Sequence, residues 1–568
     1  MTVGRTYSVA LQGVSGIPIS IEADSGPGLP GMNVVGLGDT AVSEARDRIR
    51  SAARNSGLEW PKTKIMVSLS PASLPKNGSG YDLALVIAVL ASNASRSANG
   101  LGGSKTRNRD IEARLDSTAF IGELGLNGDV RSVAGVLPAV IAARDQGMTA
   151  AIVPAANAAE ASLVAGISVW AVTSLRATWA WVCTGQPMTS DQSALISEAV
   201  QHACIRCEHH RVSSATGHDD ETLDMSEVFG QELARRGIEI AAAGGHHMLL
   251  IGPPGSGKSM LAARMPTILP PLSEQECLEV TAIHSLSSET MTDVVTHPPF
   301  VDPHYSISVA GLIGGGSGRP RPGAISRAHH GVLFLDEVGE MKARVLDALR
   351  TPLEQGYVRI SRNRFSVVYP SSFQLIMAAN PCPCGAATPQ ECRCTGRVRS
   401  TYLSGLSGPL LDRIDLAVTT APKGSMVSSI RRGESSKSIR RRVCQAHLRA
   451  GRRWESAGLG PITNSRVPGK WIREWLSTVP VVASYVDYLL RTDAVTQRGV
   501  DRLCRVAFTI ADLEAGSAGT GDVGSSGIDT VVGLSHVTLD HFDEAQSLHE
   551  GVDNICLLYT SDAADEED

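Results

Sequence analysis

The residues best equipped for chemistry lie in HHMLLIGPPGSGKSMLAARM. An apolar run, Met248 to Ile251, leads into Gly252-Pro253-Pro254-Gly255-Ser256-Gly257-Lys258-Ser259, and a helical pattern follows. This is G-x-x-x-x-G-K-[ST] in its strand–loop–helix setting. The glycines let backbone N–H groups turn inward around phosphate oxygens, and the helix N-terminus adds its dipole. Lys258 supplies a charge for β- and γ-phosphates and Ser259 a hydroxyl for Mg²⁺, so Mg·ATP is the expected ligand. GVLFLDEVGE supplies the carboxylates. Val332 to Leu335 read as a buried strand; Asp336 at its end suits the metal's water shell, and Glu337 is placed to polarise an attacking water.

A second constellation is FQLIMAANPCPCGAATPQECRC, an apolar strand closed by Asn380 and followed by two C-x-C pairs. Cys382, Cys384, Cys392 and Cys394 offer the number of thiolates that a closed tetrahedral Zn²⁺ site uses; ordinary reduced thiols are the alternative. CIRCEHH (Cys204, Cys207, His209, His210) also has ligand spacing, in a polar stretch. YVRISRNRFSVVYP alternates Val358, Ile360 and Val367 with polar positions around a turn, a hairpin pattern that displays Arg359, Arg362 and Arg364 near its tip. Arginines so placed would grip DNA phosphates without reading sequence, or form a solvated turn.

These sites need several domains to hold them. At 568 residues the chain exceeds one core. Residues 1–185 alternate strand-like and Ala-rich helical runs, an α/β pattern; 186–222 turn polar and read as a linker; 223–421 form a second α/β segment; 422–553 carry long helical patterns. Residues 554–568 fit nothing before them and read as a non-native tail. A net charge of −6 gives no global case for a polyanion partner, so a nucleic-acid site must be a local basic surface. No apolar run is long enough for a bilayer, the start lacks a signal-peptide core, and 11 cysteines then argue for reduced thiols in the cytoplasm.

With these motifs together, the chain resembles the YifB/ComM family of magnesium chelatase-like AAA+ ATPases over nearly its whole length. The resemblance rests on LPGMNVVGLGDTAVSEARDRIRSAARNSG, AAAGGHHMLLIGPPGSGKSMLA, GLIGGGSGRPRPGAISRAHHGVLFLDE, LEQGYVRISRN, NPCPC…CRC and LSGPLLDRIDL. It implies a Lon-protease-like (ribosomal S5-like) α/β domain, an AAA+ P-loop module and a helical lid. It also implies a homo-hexamer around DNA with branch-migration or helicase activity, as ComM-type members show in natural transformation. Asn380 would then contact the γ-phosphate or the water, Arg413 would act on a neighbour's nucleotide, and Arg498 would reach the γ-phosphate from the lid. The region from Glu279 to Ile325 looks like a flexible insertion beside the pore hairpin. Two departures stand out: Pro303-His304-Tyr305 where a His pair is usual, and Phe508 where Arg is frequent. A Lon-type Ser–Lys peptidase is not expected, because Gly80 (next to Ser79) and Leu137 stand at the nucleophile and base positions. The alternatives are a metal-insertion motor like the chelatase I subunit, in which the first domain is not expected, and a regulatory ATPase that recruits a protein partner.

Overall fold

The computed structural model describes residues 3–35, 39–71, 79–100, 105–186, 203–207, 223–287, 294–316, 320–362, 365–386, 391–395, 397–398, 402, 406, 408–420, 433–492, 495–515 and 537–548. The non-native tail expected at 554–568, with His209, His210 and Arg364, lies outside them.

The amino-terminal part is built on an eight-stranded sheet. Val3–Gln12 and Ser15–Gly26 form its long antiparallel hairpin, and Thr118–Phe120, Ala150–Pro154 and Ser168–Val172 continue it in parallel on one side. The apolar helix Asp82–Gly100, with Leu83, Val86, Ile87 and Leu90 buried, covers one face; Val136–Asp145 covers the other. Lys64–Ser70 alternates exposed and buried residues, as a strand covered on one face only should. Cys204–Arg206 adds an antiparallel edge strand beside Ser168–Val172. The stretch read as a linker, 186–222, therefore contributes part of its length to the first domain. The sequence hides this strand because it is three residues long and lies in an otherwise polar stretch.

The second part is a five-stranded parallel sheet in the order Phe300–Val301, Val332–Leu335, Gln374–Ala379, Met248–Ile251, Leu416–Thr419. Strands buried on both faces read as unbroken apolar runs, and MLLI, VLFL and QLIMAA do. The earliest strand in sequence lies between the two latest, so the order reverses beside it. That leaves a crevice at the carboxyl ends, where doubly wound sheets bind ligands. The described residues of the region 279–325 form regular structure, unlike the flexible insertion expected. It holds the end of the capped helix Glu274–Ser285, the sheet strand Phe300–Val301, the helix Val309–Ile313 and a two-residue-per-strand hairpin.

The carboxyl-terminal part is helical: Ser436–Ser456, Gly469–Thr478, Pro480–Arg491, Gln497–Glu514 and 539–548. Phe508 is fully buried, edge-on to Trp475 at 4.7 Å and 6.2 Å from Trp454. An arginine there would be an uncompensated charge, so this position belongs to the core. A buried polar chain crosses the same region: Arg453 pairs with Asp512, Asn464 donates to Asp512 at 2.9 Å, and His246 lies 2.8 Å from both Thr509 and Asp415. It ties the helical part to the start of Leu416–Thr419.

The first domain grips the second at two points. The Gly135 N–H donates to the Ser285 carbonyl at 3.0 Å, and Ala282 joins the core under Val136 and Val140. At the turn of its long hairpin, Gln12 donates to the Ser366 carbonyl at 3.1 Å. No helix among the described residues is long and apolar enough to cross a membrane.

Candidate active site

The phosphate loop leaves the carboxyl end of Met248–Ile251 and enters the helix Lys258–Arg264. Gly255 and Gly257 sit at φ 73° and 92°, in the left-handed region that other residues enter at a cost. Ser256 is fixed from behind by Thr420, 2.6 Å away, and by Gln231, which donates to its carbonyl at 3.0 Å. Lys258 is buried, and its ammonium donates to the carbonyls of Gly252 (2.7 Å) and Pro253 (3.1 Å) and to Asn380 Oδ1 (3.0 Å). Burial lowers its pKa, while Asp336 and Glu337 pull it back up.

The Ser259 hydroxyl donates to Asp336 Oδ2 at 2.6 Å, and the other Asp336 oxygen accepts the Glu337 N–H at 2.9 Å. Two hard oxygen donors in contact suit Mg²⁺, which takes few protein ligands and keeps its waters. Glu337 has φ 51°, rare for a side-chain-bearing residue, and its carboxylate is exposed at the crevice. Five residues from three sequence motifs, Lys258, Ser259, Asp336, Glu337 and Asn380, thus meet at the carboxyl edge of adjacent strands.

Asp302 belongs to the same edge and was missed by sequence reasoning. It follows Phe300–Val301, and partial burial first and the Asp336 charge second raise its pKa. Its strand is two residues long, too short to register as one in PPFVDPHY. His304, next but one, is exposed and bonds Ser306 at 2.7 Å. Thr420 was also missed, because nothing in its neighbourhood marks it.

Arg413 and Arg498 lie elsewhere. Both precede or face the amino end of Leu416–Thr419, so the length of a four-residue strand, roughly 13 Å, separates them from the phosphate loop of their own chain. Arg413 pairs with Glu354 and donates to the Pro409 carbonyl; Arg498, largely exposed, holds Asp412 at 3.0 Å. The reach expected of Arg498 from the lid to that loop is therefore not made within one chain, because Gln497–Glu514 enters from the opposite edge. Buried Arg502 donates to the carbonyls of Leu411 and Ile414 and braces the turn that carries Arg413. With Arg466 and Arg505 these arginines line a cavity of about 660 Å³.

The four cysteines behind Asn380 do converge: all their sulfurs lie within 4.8 Å of one another. Cys204 and Cys207 do not form a second site. Three residues apart on extended chain, they enter cores on opposite faces of the first sheet. Glu279, His329 and His330 also cluster, but His329 Nδ1 accepts the Ser372 N–H at 2.9 Å. Its Nε2 therefore carries the proton and faces Glu279 as a donor, not a metal ligand.

The hairpin pairs Tyr357–Arg362 with Phe365–Pro370; Val358, Ile360, Val367 and Tyr369 face the core and Arg359 faces outward. The Arg362 and Arg364 side chains lie outside the described residues. In the first domain, Leu137 is fully buried and the Ser79 hydroxyl is engaged by Glu123, so the pair is not disposed as a Ser–Lys peptidase needs.

Three family descriptions match along the chain: "Subunit ChlI of Mg-chelatase" over residues 21–157, "Magnesium chelatase, subunit ChlI" over 224–427 and its C-terminal model over 433–522. The first of these lies inside the amino-terminal domain, so that domain does not by itself argue against a chelatase-like role. A Mycobacterium tuberculosis protein is 44% identical over 515 residues, 90% of this chain and 95% of its own length. YifB of Salmonella typhimurium is 39% identical over 522 residues and the competence protein ComM of Haemophilus influenzae 35% over 517, each covering 90% of this chain and 94% of the relative.

Proposed function

The chain belongs to the YifB/ComM family of magnesium chelatase-like ATPases, and on that premise we propose that it is a Mg·ATP-driven motor acting on branched or single-stranded DNA as a ring, in the manner of a branch-migration helicase. The observation that carries the ATPase half is the convergence of Lys258, Ser259, Asp336, Glu337 and Asn380 on one crevice.

Bound Mg²⁺ would supply charge neutralisation between phosphate groups, held by Ser259 and, through its waters, by Asp336. Lys258 is pre-aimed: three oxygens hold its ammonium at the loop, and it can exchange them for phosphate oxygens without unfolding anything. Asn380 touches Lys258, so its amide can report on the terminal phosphate or orient a water. Glu337 takes the proton that the attacking water gives up. Arg413 and Arg498, aimed away from their own loop, are suited to a neighbour's nucleotide, where each would stabilise charge in trans.

The DNA half is supported by the outward Arg359 on a hairpin inserted between the carboxylate strand and the asparagine strand, a position from which a pore loop contacts phosphates. The Lon-like reading of the first domain fits its mixed sheet and makes it a scaffold. The competence name of the Haemophilus relative supports a role in natural transformation.

The test is strand displacement from a branched DNA with Mg·ATP, wild type against Lys258→Ala. Displacement lost in the variant supports the motor. ATP turnover indifferent to DNA, with no strand moved, rejects it in favour of metal insertion or protein recruitment.

A further inference from the structure

We infer that Cys382, Cys384, Cys392 and Cys394 bind one Zn²⁺ ion, and that the segment from Asn380 to Gly385, held by it, forms a wall of the phosphate loop, so that metal occupancy sets nucleotide affinity. This rests on the ATPase reading above.

The sulfurs are gathered closely enough for one tetrahedral ion. Three of the separations are 3.0 Å (Cys382–Cys384), 3.5 Å (Cys382–Cys392) and 3.7 Å (Cys384–Cys392). Zinc–sulfur bonds of 2.3 Å in a tetrahedron put sulfurs about 3.8 Å apart. Polynuclear iron–sulfur clusters hold their cysteines wider than that. A soft, four-thiolate site favours zinc over magnesium or calcium, which take oxygen.

The coupling comes from what flanks the first two ligands. Asn380, two residues before Cys382, holds Lys258 at 3.0 Å. Gly385, directly after Cys384, lies against the phosphate loop at Pro254: at φ 71° its position has no room for a side chain, since a Cβ would come within 2.7 Å of the Pro254 ring. The Gly385 N–H donates back to the Cys382 carbonyl at 3.0 Å and closes a turn. One short segment therefore touches the phosphate loop at both ends and carries two thiolates between them. Cys392 and Cys394 would anchor that segment from the far side through the metal. Freed of the ion, the segment loses its tie to Cys392 and Cys394, and the wall loosens. The role is positional.

The experiment uses the full chain purified without chelator. Elemental analysis should find about one zinc per chain in wild type and none in Cys392→Ser. Stripping the zinc from wild type, and separately Gly385→Val with its zinc retained, should each weaken binding of a fluorescent ATP analogue by about tenfold. Lys258→Ala should keep its zinc and lose the analogue. If Cys392→Ser does not fold, stripped wild type and Gly385→Val decide. The proposal fails if wild type carries no zinc, if mass spectrometry finds Cys382 and Cys384 joined as a disulfide, or if stripped protein and Gly385→Val bind the analogue as wild type does. If wild type and Lys258→Ala bind the analogue equally, the ATPase reading fails instead, and the metal count alone judges the zinc site.

Discussion

Asn380 and Glu337 stand on the same crevice but should fail differently. Glu337→Gln keeps shape and hydrogen bonding yet loses the base, so turnover should fall by 10²–10⁴-fold while nucleotide still binds. Asn380→Ala takes one of three oxygen partners from the Lys258 ammonium and leaves it more mobile. Turnover should drop about 10²-fold, with nucleotide affinity nearly unchanged. Single-turnover hydrolysis beside equilibrium binding separates the two. At this scale the sequence spoke clearly where chemistry is contiguous: the phosphate loop and Asp336–Glu337 announce themselves by spacing. Asp302 and Thr420 were silent, because each reaches the site from a different strand end, and only the sheet order makes them neighbours of Asp336 and Ser256.

Elements carry the next two expectations. His247 and His329 sit at the amino end of the parallel sheet, where Nδ1 of each accepts a backbone N–H, from Leu375 at 3.1 Å and Ser372 at 2.9 Å. Burial, the leading cause for both, lowers their pKa to about 4 from 6.5. Unfolded chain takes up these protons below about 6.5 and folded chain does not until near 4, so the stability they confer is complete above 6.5 and lost as pH falls toward 4. The melting temperature should decline over that window. The double variant His247→Asn, His329→Asn, whose amide oxygens can accept the same N–H groups, should flatten the decline. In the helical part, Asp512→Ala leaves buried Arg453 without its carboxylate and should cost about 3–5 kcal/mol, read by chemical denaturation. Long apolar or heptad-like runs were legible: the central strands, the hairpin at 357–370, and the helices after 436. Short elements were not. Phe300–Val301 and Cys204–Arg206 exist only because a neighbouring strand offers its edge, and no local pattern encodes a neighbour.

For the whole molecule, the decisive fact is that one edge of the ATPase sheet holds the phosphate loop and the opposite edge holds Arg413 and Arg498. Within one chain the length of a strand, roughly 13 Å, separates them, so a role for these arginines in hydrolysis would make turnover depend on assembly. Lys258→Ala and Arg413→Ala should each be nearly inactive alone. Mixed, they should regain a fraction of wild-type turnover, since some interfaces then pair an intact loop with an intact arginine. No recovery, with mixed rings shown by mass, would place Arg413 outside catalysis. The sequence alone suggested this arrangement only through resemblance; the structure adds that Arg413 and Arg498 lie at the amino end of Leu416–Thr419, away from the phosphate loop. The same view of the molecule bears on the grip of the first domain at Gln12–Ser366 and Gly135–Ser285. These two fastenings fall on the arginine hairpin close to its turn, at Ser366 opposite Ser361, and on the last residue of the helix Glu274–Ser285, which makes the eight-stranded sheet a stator. With one strand held that close to its turn by so large a body, the hairpin cannot swing as a free lever from the ATPase sheet. Any phosphate held by Arg359, two residues nearer the base than that clamp, would therefore rest on a stiff support and not on a moving arm.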